Sequence, residues 1–160
     1  MGTNIDPSIT DFLKRNKVAV LATANKDDAR PHAAAVFYDT DSHSNIFFLT
    51  KENTTKSKNL QDNPLAAMVI FEARGLKTAQ IIGAVTRIDD EAMVQKAQRI
   101  MSRFSAEISG NSETPISKLD AGLYVLYMLT PQSIRLGDYK YGRRNYIFDT
   151  ATPAEESLDY

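Results

Sequence analysis

The sequence predicts a mainly β protein, in which six or seven short antiparallel strands form a closed or nearly closed barrel with helices at its edges. Three observations lead to this prediction: short apolar or β-branched segments alternate with polar turn clusters, few segments have helical spacing, and barrel closure removes exposed strand edges. With 160 residues, the chain fits one domain over residues 1–150. The acidic residues 151–160 are expected to form a frayed tail.

Seven segments have strand character, and polar or glycine-containing turns separate most of them. The segment 31–38 contains three alanines, a poor strand composition, but the turn signals around it leave little room for a helix. Gly83 lies inside the segment 78–88 and indicates a bulge, a bend or a close approach. The predicted strands cover residues 18–23, 31–38, 46–50, 65–71, 78–88, 123–129 and 133–136.

Three segments are expected to be helical. The segment 6–13 begins with a capping aspartate and a proline and has apolar residues at i, i+3 and i+4, so we expect it to plug a core. The polar segment 54–60 allows about two helical turns before Asn63-Pro64 ends it. A helix over 91–104 follows three acidic residues, and residues 105–119 are expected to form a mobile surface loop.

Composition and motifs exclude several kinds of function. The net charge is −1 and the 19 basic residues are dispersed along the chain, so a nucleic-acid partner is not expected. Without cysteine, thiolate nucleophiles and thiolate metal sites are excluded. His32 and His43 lack an acidic partner at ligand spacing, so no metal site is expected. No apolar run approaches the ~20 residues of a membrane-spanning helix, and we expect a cytoplasmic protein.

The stretch from Thr50 to Lys56 places hydroxyl groups and a lysine where a strand hands over to a helix. A helix N-terminus offers unpaired N–H groups and a partial positive charge, so an anion there is stabilised. Threonine hydroxyls and the Lys56 ammonium would add hydrogen bonds and a full charge. Local physics leaves two interpretations open: a phosphate cradle, or an N-cap at Thr54 beside a solvated row of lysines.

Seven short pieces of the chain, in a fixed order and spacing, carry a resemblance. They are Phe12-Leu13, residues 18–23, Arg30-Pro31-His32, residues 47–50, residues 56–60, Asn63-Pro64 and Gly83. Through them the run from Phe12 to Ile88 resembles the pyridoxamine 5′-phosphate oxidase-like, FMN-binding split β-barrel family. The resemblance implies a homodimer with two FMN molecules in grooves between the subunits. It also implies that Thr50, Thr55 and Lys56 contact the FMN phosphate, with Leu49 and Thr54 in the same cofactor-binding stretch.

The family also runs its second strand along the flavin ring. The resemblance therefore implies that the backbone of Ala33, Ala34, Ala35 and Val36 hydrogen-bonds the isoalloxazine edge, and small side chains would let the flat cofactor lie against the strand. From the second subunit, it implies that residues at the start of the fifth strand meet the flavin. These are Lys77, Thr78 and Gln80.

The sequence departs from the true pyridoxamine-phosphate oxidases. It has alanine at Ala34 where they carry an arginine, Thr55 where they carry a basic residue, and no tryptophan. We therefore expect an FMN-dependent oxidoreductase acting on a small acceptor, with no catalytic side chain assigned. The alternatives are a non-catalytic module that holds flavin, haem or a deazaflavin for storage or sensing, and a structural dimer with an empty groove. Arg143 and Arg144 are expected to lie in a solvated tail; the alternative is that they approach a phosphate or an acidic substrate at the site.

Overall fold

A computed structural model of the chain describes residues 5–140, 142 and 144–150, so the tail 151–160 and Arg143 lie outside the described residues. Within these residues, three α-helices and seven strands follow one another. They are α1 (Pro7–Arg15), β1 (Val18–Ala24), β2 (Pro31–Thr40), β3 (Ile46–Lys51), α2 (Thr55–Asp62), β4 (Leu65–Glu72), β5 (Lys77–Ile88), α3 (Glu91–Ser109), β6 (Tyr124–Asp138) and β7 (Arg144–Asp149), with a short 3-10 turn at Pro115–Lys118.

The strands form one antiparallel sheet in the order β3-β2-β1-β4-β5-β6-β7, and β3 also pairs with β6. That second pairing closes six strands into a barrel and leaves β7 as an extra strand beside β6. The predicted split β-barrel is thereby confirmed. Alternate residues of each strand point inward, and α1 plugs the barrel as predicted, since Phe12 and Leu13 are 0% exposed.

The length of β6 is the main correction to the strand prediction. Residues 123–129 and 133–136 were expected as two strands, but one strand runs from Tyr124 to Asp138. Its first half pairs with β3 and its second half with β7, both along the same edge. The register against β5 shifts between Ile82 and Gly83. This bulge accommodates Pro131, because a bulge tolerates a residue without an N–H group.

The bulge also explains Gly83. A Cβ atom at this position would lie 2.3 Å from the carbonyl oxygen of Thr130. The close approach that the sequence indicated is therefore present, and the bend it introduces lets the long strands β5 and β6 wrap around the barrel.

Two further corrections concern the second half of the chain. Helix α3 continues past the predicted end at residue 104 to Ser109, where Gly110 ends it with φ 72°. Residues 105–119 are therefore not one loop, since they contain the last turn of α3 and the 3-10 turn. Strand β7 was missed, because residues 144–149 were expected to belong to an aromatic and basic tail.

Candidate functional site

An opening between β2 and β3 forms the centre of the candidate site. The two strands pair only through residues 38–40 of β2 and 46–48 of β3, and then diverge. Beyond the divergence β3 remains paired with β6 through Lys51, and β2 remains paired with β1 through Pro31. One edge of β2 therefore has no strand partner over residues 31–37 of the described chain.

The free edge of β2 carries unused backbone groups. Tyr38 donates its N–H to the carbonyl oxygen of Lys17. In an antiparallel ladder such bonds alternate along the strand, so the N–H and C=O groups of Ala33, Ala35 and Phe37 point away from β1 towards the opening. The side chains of Ala33, Ala34 and Ala35 on this part of β2 are small. A flat polar-edged molecule can therefore approach this backbone closely.

Helix α2 begins beside the opening, and Thr54 is its N-cap. The Thr54 hydroxyl donates to the carbonyl oxygen of Lys51 at 2.8 Å and lies 3.1 Å from the Thr50 hydroxyl. It also accepts the backbone N–H of Ser57 at 3.4 Å. The N–H groups of Thr55 and Lys56 have no acceptor within the described residues, as is usual for the first turn of a helix. The end of α2 thus presents two free donors and a positive helix dipole.

Lys56 is the unusual side chain of this helix start. It is 8% exposed, yet its ammonium forms no hydrogen bond or ion pair with any residue that the structure describes. Burial lowers the pKa of Lys56 below its ordinary value, because a charged amine loses hydration there. The ammonium is not one of the fully enclosed, unpaired polar atoms of the described residues, so it opens onto solvent at the cavity. A partly desolvated charge without a protein partner is still unfavourable for folding. Such an arrangement is typical of a site that binds an anion.

A cavity of about 290 Å³ adjoins the Lys56 ammonium. Lys56 is its one titratable lining residue among those described, and the remaining walls are largely apolar. One wall is formed by strands β1, β2 and β3, and the other by α3 and the segment that follows it. The lining residues are Val18, Ala35, Val36, Phe37, Leu49, Lys56, Met101, Thr114, Pro115, Ile116 and Leu119.

The structure brings most of the expected cofactor-binding residues together around this cavity. Four of them line it: Ala35, Val36, Leu49 and Lys56. Ala33 and Ala34 precede them on β2. Thr50 is fully buried and joins the cradle through the Thr54 hydroxyl. Thr55 is exposed at the first turn of α2.

Lys77, Thr78 and Gln80 do not line the cavity. They lie at the start of β5, where Lys77 forms an ion pair with Asp138 at 3.0 Å. Gln80 faces outward from the sheet and is the cross-strand neighbour of Val69. Within one chain these three residues are therefore separate from the cradle, and their contact with the flavin of a second subunit stays a prediction.

The outer face of the sheet next to Gln80 is apolar and exposed. Val20 and Val69 are directly paired across β1 and β4, and both remain at least 40% exposed. Phe71 and Ile82 extend the same surface onto the β4–β5 hairpin. We call Val20, Val69, Phe71 and Ile82 the outer apolar face. Contiguous apolar surfaces of this kind mark interaction sites in many proteins.

Residues from the second half of the chain were missed as site residues. Met101 contributes from α3, and Thr114, Ile116 and Leu119 contribute from the segment behind it. The helical apolar stripe identified Met101 as buried but not what it would pack against. No local pattern indicates that residues 114–119 fold back over β3, because this depends on contacts between residues far apart in the sequence.

Neither His32 nor a cluster of metal-binding side chains contributes to the cavity in the described part of the chain. Nδ1 of His32 is buried and has no hydrogen-bond partner in the described part of the chain, but His32 does not line the cavity. Among the described residues, no group of three or more His, Asp or Glu side chains is placed to hold a metal ion.

None of the described helices combines the length and the apolar character needed to cross a bilayer.

Several solved structures are similar in fold to this chain. None of the curated proteins compared with the chain matches it significantly. The fold is similar to that of a pyridoxamine 5′-phosphate oxidase-related, FMN-binding protein from Nostoc punctiforme, at 17% identity and a TM-score of 0.63, covering 91% of this chain and 92% of that one. A second similar structure, from Clostridium acetobutylicum, is related to general stress protein 26 of the pyridoxinephosphate oxidase family (12% identity, TM-score 0.63, coverage 89% and 92%).

A third similar structure is the haem storage protein HutZ from Vibrio cholerae, at 21% identity and a TM-score of 0.56, covering 80% of this chain and 90% of that one. At these identities the likeness shows the fold. The sequence itself matches the family model described as pyridoxamine 5′-phosphate oxidase over residues 5–136, from α1 to the second half of β6. The chain therefore belongs to the pyridoxamine 5′-phosphate oxidase family.

Proposed function

We propose that this protein is a flavoprotein that binds FMN at the opening between β2 and β3. The observation that carries the proposal is Lys56 at the start of α2, a buried residue whose ammonium faces the cavity and has no partner among the described residues. A phosphate monoester supplies the negative charge that this ammonium lacks, and charge-assisted hydrogen bonds are stronger than neutral ones. The family membership and an FMN-binding structural neighbour support flavin as the body of the ligand.

The chain offers donors at both ends of such a ligand. Lys56, the free N–H groups of Thr55 and Lys56, and the exposed Thr55 hydroxyl would hold the phosphate. The unpaired N–H and C=O groups of Ala33 and Ala35 match the alternating donors and acceptors of an isoalloxazine edge. The residues present therefore fit FMN. Those at the start of α2 would hold its phosphate, and the β2 backbone would face its ring.

A second copy of the chain would complete the groove. The outer apolar face is exposed in one chain. Burying it in a dimer would stabilise the dimer by about 25 cal/mol for each Å² of apolar surface removed from water. In the homodimer that we propose, Val20 and Val69 are buried, and Gln80, the cross-strand neighbour of Val69, therefore lies at the interface with the other copy. We propose that Lys77, Thr78 and Gln80 contact the flavin in this way.

The proposed activity is that of an oxidoreductase. Bound FMN supplies hydride or electron transfer to a small acceptor, while the protein binds and orients it. The chain's own contribution is to hold the phosphate at Lys56, present the β2 backbone to the ring and exclude water with the apolar walls of the cavity. Among the described lining residues no side chain other than Lys56 titrates, so proton transfer by the protein is not part of the proposal.

The absence of a titratable partner within those lining residues equally favours a second candidate, a binding module without turnover. One of the structural neighbours is a haem storage protein, which supports this candidate. Mixing the FMN-loaded protein rapidly with NADH or NADPH separates the two functions. An oxidoreductase that uses a nicotinamide donor bleaches the flavin spectrum at a useful rate, whereas a storage or sensing module does not.

The binding proposal itself is tested by titrating the purified protein with FMN, haem and a deazaflavin, while following the visible spectrum. We expect saturable FMN binding with one flavin per chain. Absence of flavin bands together with no change in flavin fluorescence would refute FMN binding, and preferential haem or deazaflavin binding would refute FMN as the cofactor.

A further inference from the structure

Helix α2, which carries Lys56, is too short to be stable by itself. It has eight residues, and isolated helices shorter than about 12 residues are marginal in water. Leu60 is its one apolar residue, so α2 has no broad apolar stripe of the kind that usually orients a surface helix. The position of α2 therefore depends on the directional contacts of its polar side chains with the barrel.

The second half of α2 is fixed to β1 by two amide side chains. The Asn59 amide donates to the Thr23 hydroxyl at 3.1 Å, and both residues are buried. Just after the helix, the Asn63 amide donates to the carbonyl oxygen of Ala24 at 3.2 Å. These two bonds hold the end of α2 that points away from the anion site.

The first turn of α2 is fixed to the barrel core by a tyrosine of β6. The hydroxyl oxygens of Ser57 and Tyr127 lie 2.8 Å apart, and the two residues are only 0% and 2% exposed. The Tyr127 ring stacks on that of Phe48, its cross-strand neighbour on β3, with 5.6 Å between the ring centres. Packing thus holds the ring in place, and its hydroxyl is a fixed point for the helix.

Ser57 connects this fixed point to the groups that face an anion. Its backbone N–H donates to the Thr54 hydroxyl at 3.4 Å, and that hydroxyl donates to the carbonyl oxygen of Lys51 on β3 at 2.8 Å. The first turn is therefore attached at two points, through Thr54 to β3 and through Ser57 to β6. The free N–H groups of Thr55 and Lys56 lie between these points, so both attachments together determine their direction.

We propose that the Tyr127 hydroxyl is a positioning group for the anion site, which holds Ser57 and thereby orients the first turn of α2 for binding a phosphate. This proposal rests on the proposed flavin-binding function and goes beyond it by assigning a role to a residue of the barrel core. Tyr127 is not among the residues that line the cavity in the described chain, so it acts through Ser57. Binding groups that are held in their final direction lose less conformational freedom when the ligand binds.

The test compares the binding of FMN and of riboflavin, which has the same ring and ribityl chain but no phosphate. Wild type, Tyr127→Phe and Ser57→Ala are titrated by flavin fluorescence. Tyr127→Phe removes one oxygen atom and keeps the ring. We expect it to weaken FMN binding by about three- to tenfold, the effect of one hydrogen bond, and riboflavin binding by less than about twofold. Ser57→Ala removes the other end of the same bond and should have the same effect.

A double-mutant cycle tests the bond itself, because the two single variants remove the same contact. The variant that carries both Tyr127→Phe and Ser57→Ala should lose no more FMN affinity than either single variant. Tyr38→Phe is the matched control. It also removes the hydroxyl of a buried tyrosine, but this hydroxyl donates to the carbonyl oxygen of Leu13 in α1 at 2.8 Å. It should lower stability and leave the ratio of FMN to riboflavin affinity unchanged.

A wild-type ratio of FMN to riboflavin affinity in Tyr127→Phe or in Ser57→Ala overturns the proposal, and if Tyr127→Phe does not fold, Ser57→Ala alone decides. An equal change of the ratio in Tyr38→Phe also overturns it, because general destabilisation would then explain the effect. Additive losses in the double variant do the same. Wild type that binds FMN no more tightly than riboflavin would instead refute the anion site, and binding of neither flavin would refute the proposed function.

Discussion

Replacement of Lys56 by methionine separates binding from stability. The substitution keeps an unbranched side chain of similar length but removes the ammonium. A hydrogen bond to a charged group contributes about 1.5–3 kcal/mol, and each 1.4 kcal/mol changes an equilibrium constant about tenfold. We therefore expect Lys56→Met to weaken FMN binding by about 10- to 150-fold. The loss of helix N–H contacts is not expected, so residual binding persists.

The unliganded Lys56→Met protein should be slightly more stable than wild type at neutral pH, because a partly desolvated charge without a partner is replaced by an apolar group. The pKa of Lys56 is lowered from its ordinary value of 10.5, so between the lowered value and 10.5 the unfolded chain binds more protons than the folded one. Wild-type stability attributable to this group therefore rises with pH through that window. The advantage of the variant shrinks over the same range.

The assay combines FMN titration by fluorescence quenching with thermal unfolding of the unliganded protein at several pH values. Lys58→Met is the matched control, because it removes an exposed lysine from the same helix. It should change neither quantity appreciably. Wild-type FMN affinity in Lys56→Met would refute the assignment of the phosphate site, and a lower melting temperature of that variant would refute the burial argument.

Three further substitutions test the fold and the assembly. Gly83→Ala places a Cβ atom 2.3 Å from the carbonyl oxygen of Thr130 and should lower the free energy of unfolding by ~1–3 kcal/mol in urea titrations; no change would show that the bulge is not tight. Val69→Asp puts a charge on the outer apolar face and should produce a monomer with weakened FMN binding; a dimer by light scattering would contradict this. The hydrogen bond from Arg15 lowers the pKa of Glu72, so its contribution of no more than about 1 kcal/mol is present above its ordinary pKa and lost as pH falls through the lowered value. Glu72→Gln should therefore be less stable than wild type at neutral pH but not in acid, and a stability difference independent of pH would contradict this.

Local signals predicted the parts of the fold that local interactions determine. Asp6 does cap α1 by accepting the backbone N–H of Ser8 at 2.7 Å, and α2 ends at Asp62 just before Asn63-Pro64. Gly83 marked the bulge because a side chain there would collide with the neighbouring strand. Caps, stops and close approaches leave traces in a few adjacent residues, so the sequence was sufficient for them.

Long-range contacts decided what the sequence did not reveal. Two strands were expected on either side of residues 130–132, but the bulge opposite Gly83 lets β6 continue through this segment. Lys51, Lys56 and Lys58 lie close together in one polar stretch of the sequence, and only the packing of distant segments distinguishes them. Lys51 donates to the carbonyl oxygen of Leu119, Lys56 is buried and Lys58 is exposed. The sequence thus indicated the candidate cradle, which stays a prediction, whereas no local pattern indicated the wall opposite to it.

The most direct test of the central claim measures mass and flavin content together. Purified protein is loaded with excess FMN, passed over a sizing column with light scattering, and its absorbance is recorded in the ultraviolet and in the flavin band. We expect wild type to have the mass of two 17.8 kDa chains and to carry one FMN per chain. We expect Lys56→Met to lose most of that flavin. A protein that elutes without flavin, or Lys56→Met that retains FMN as wild type does, would contradict it.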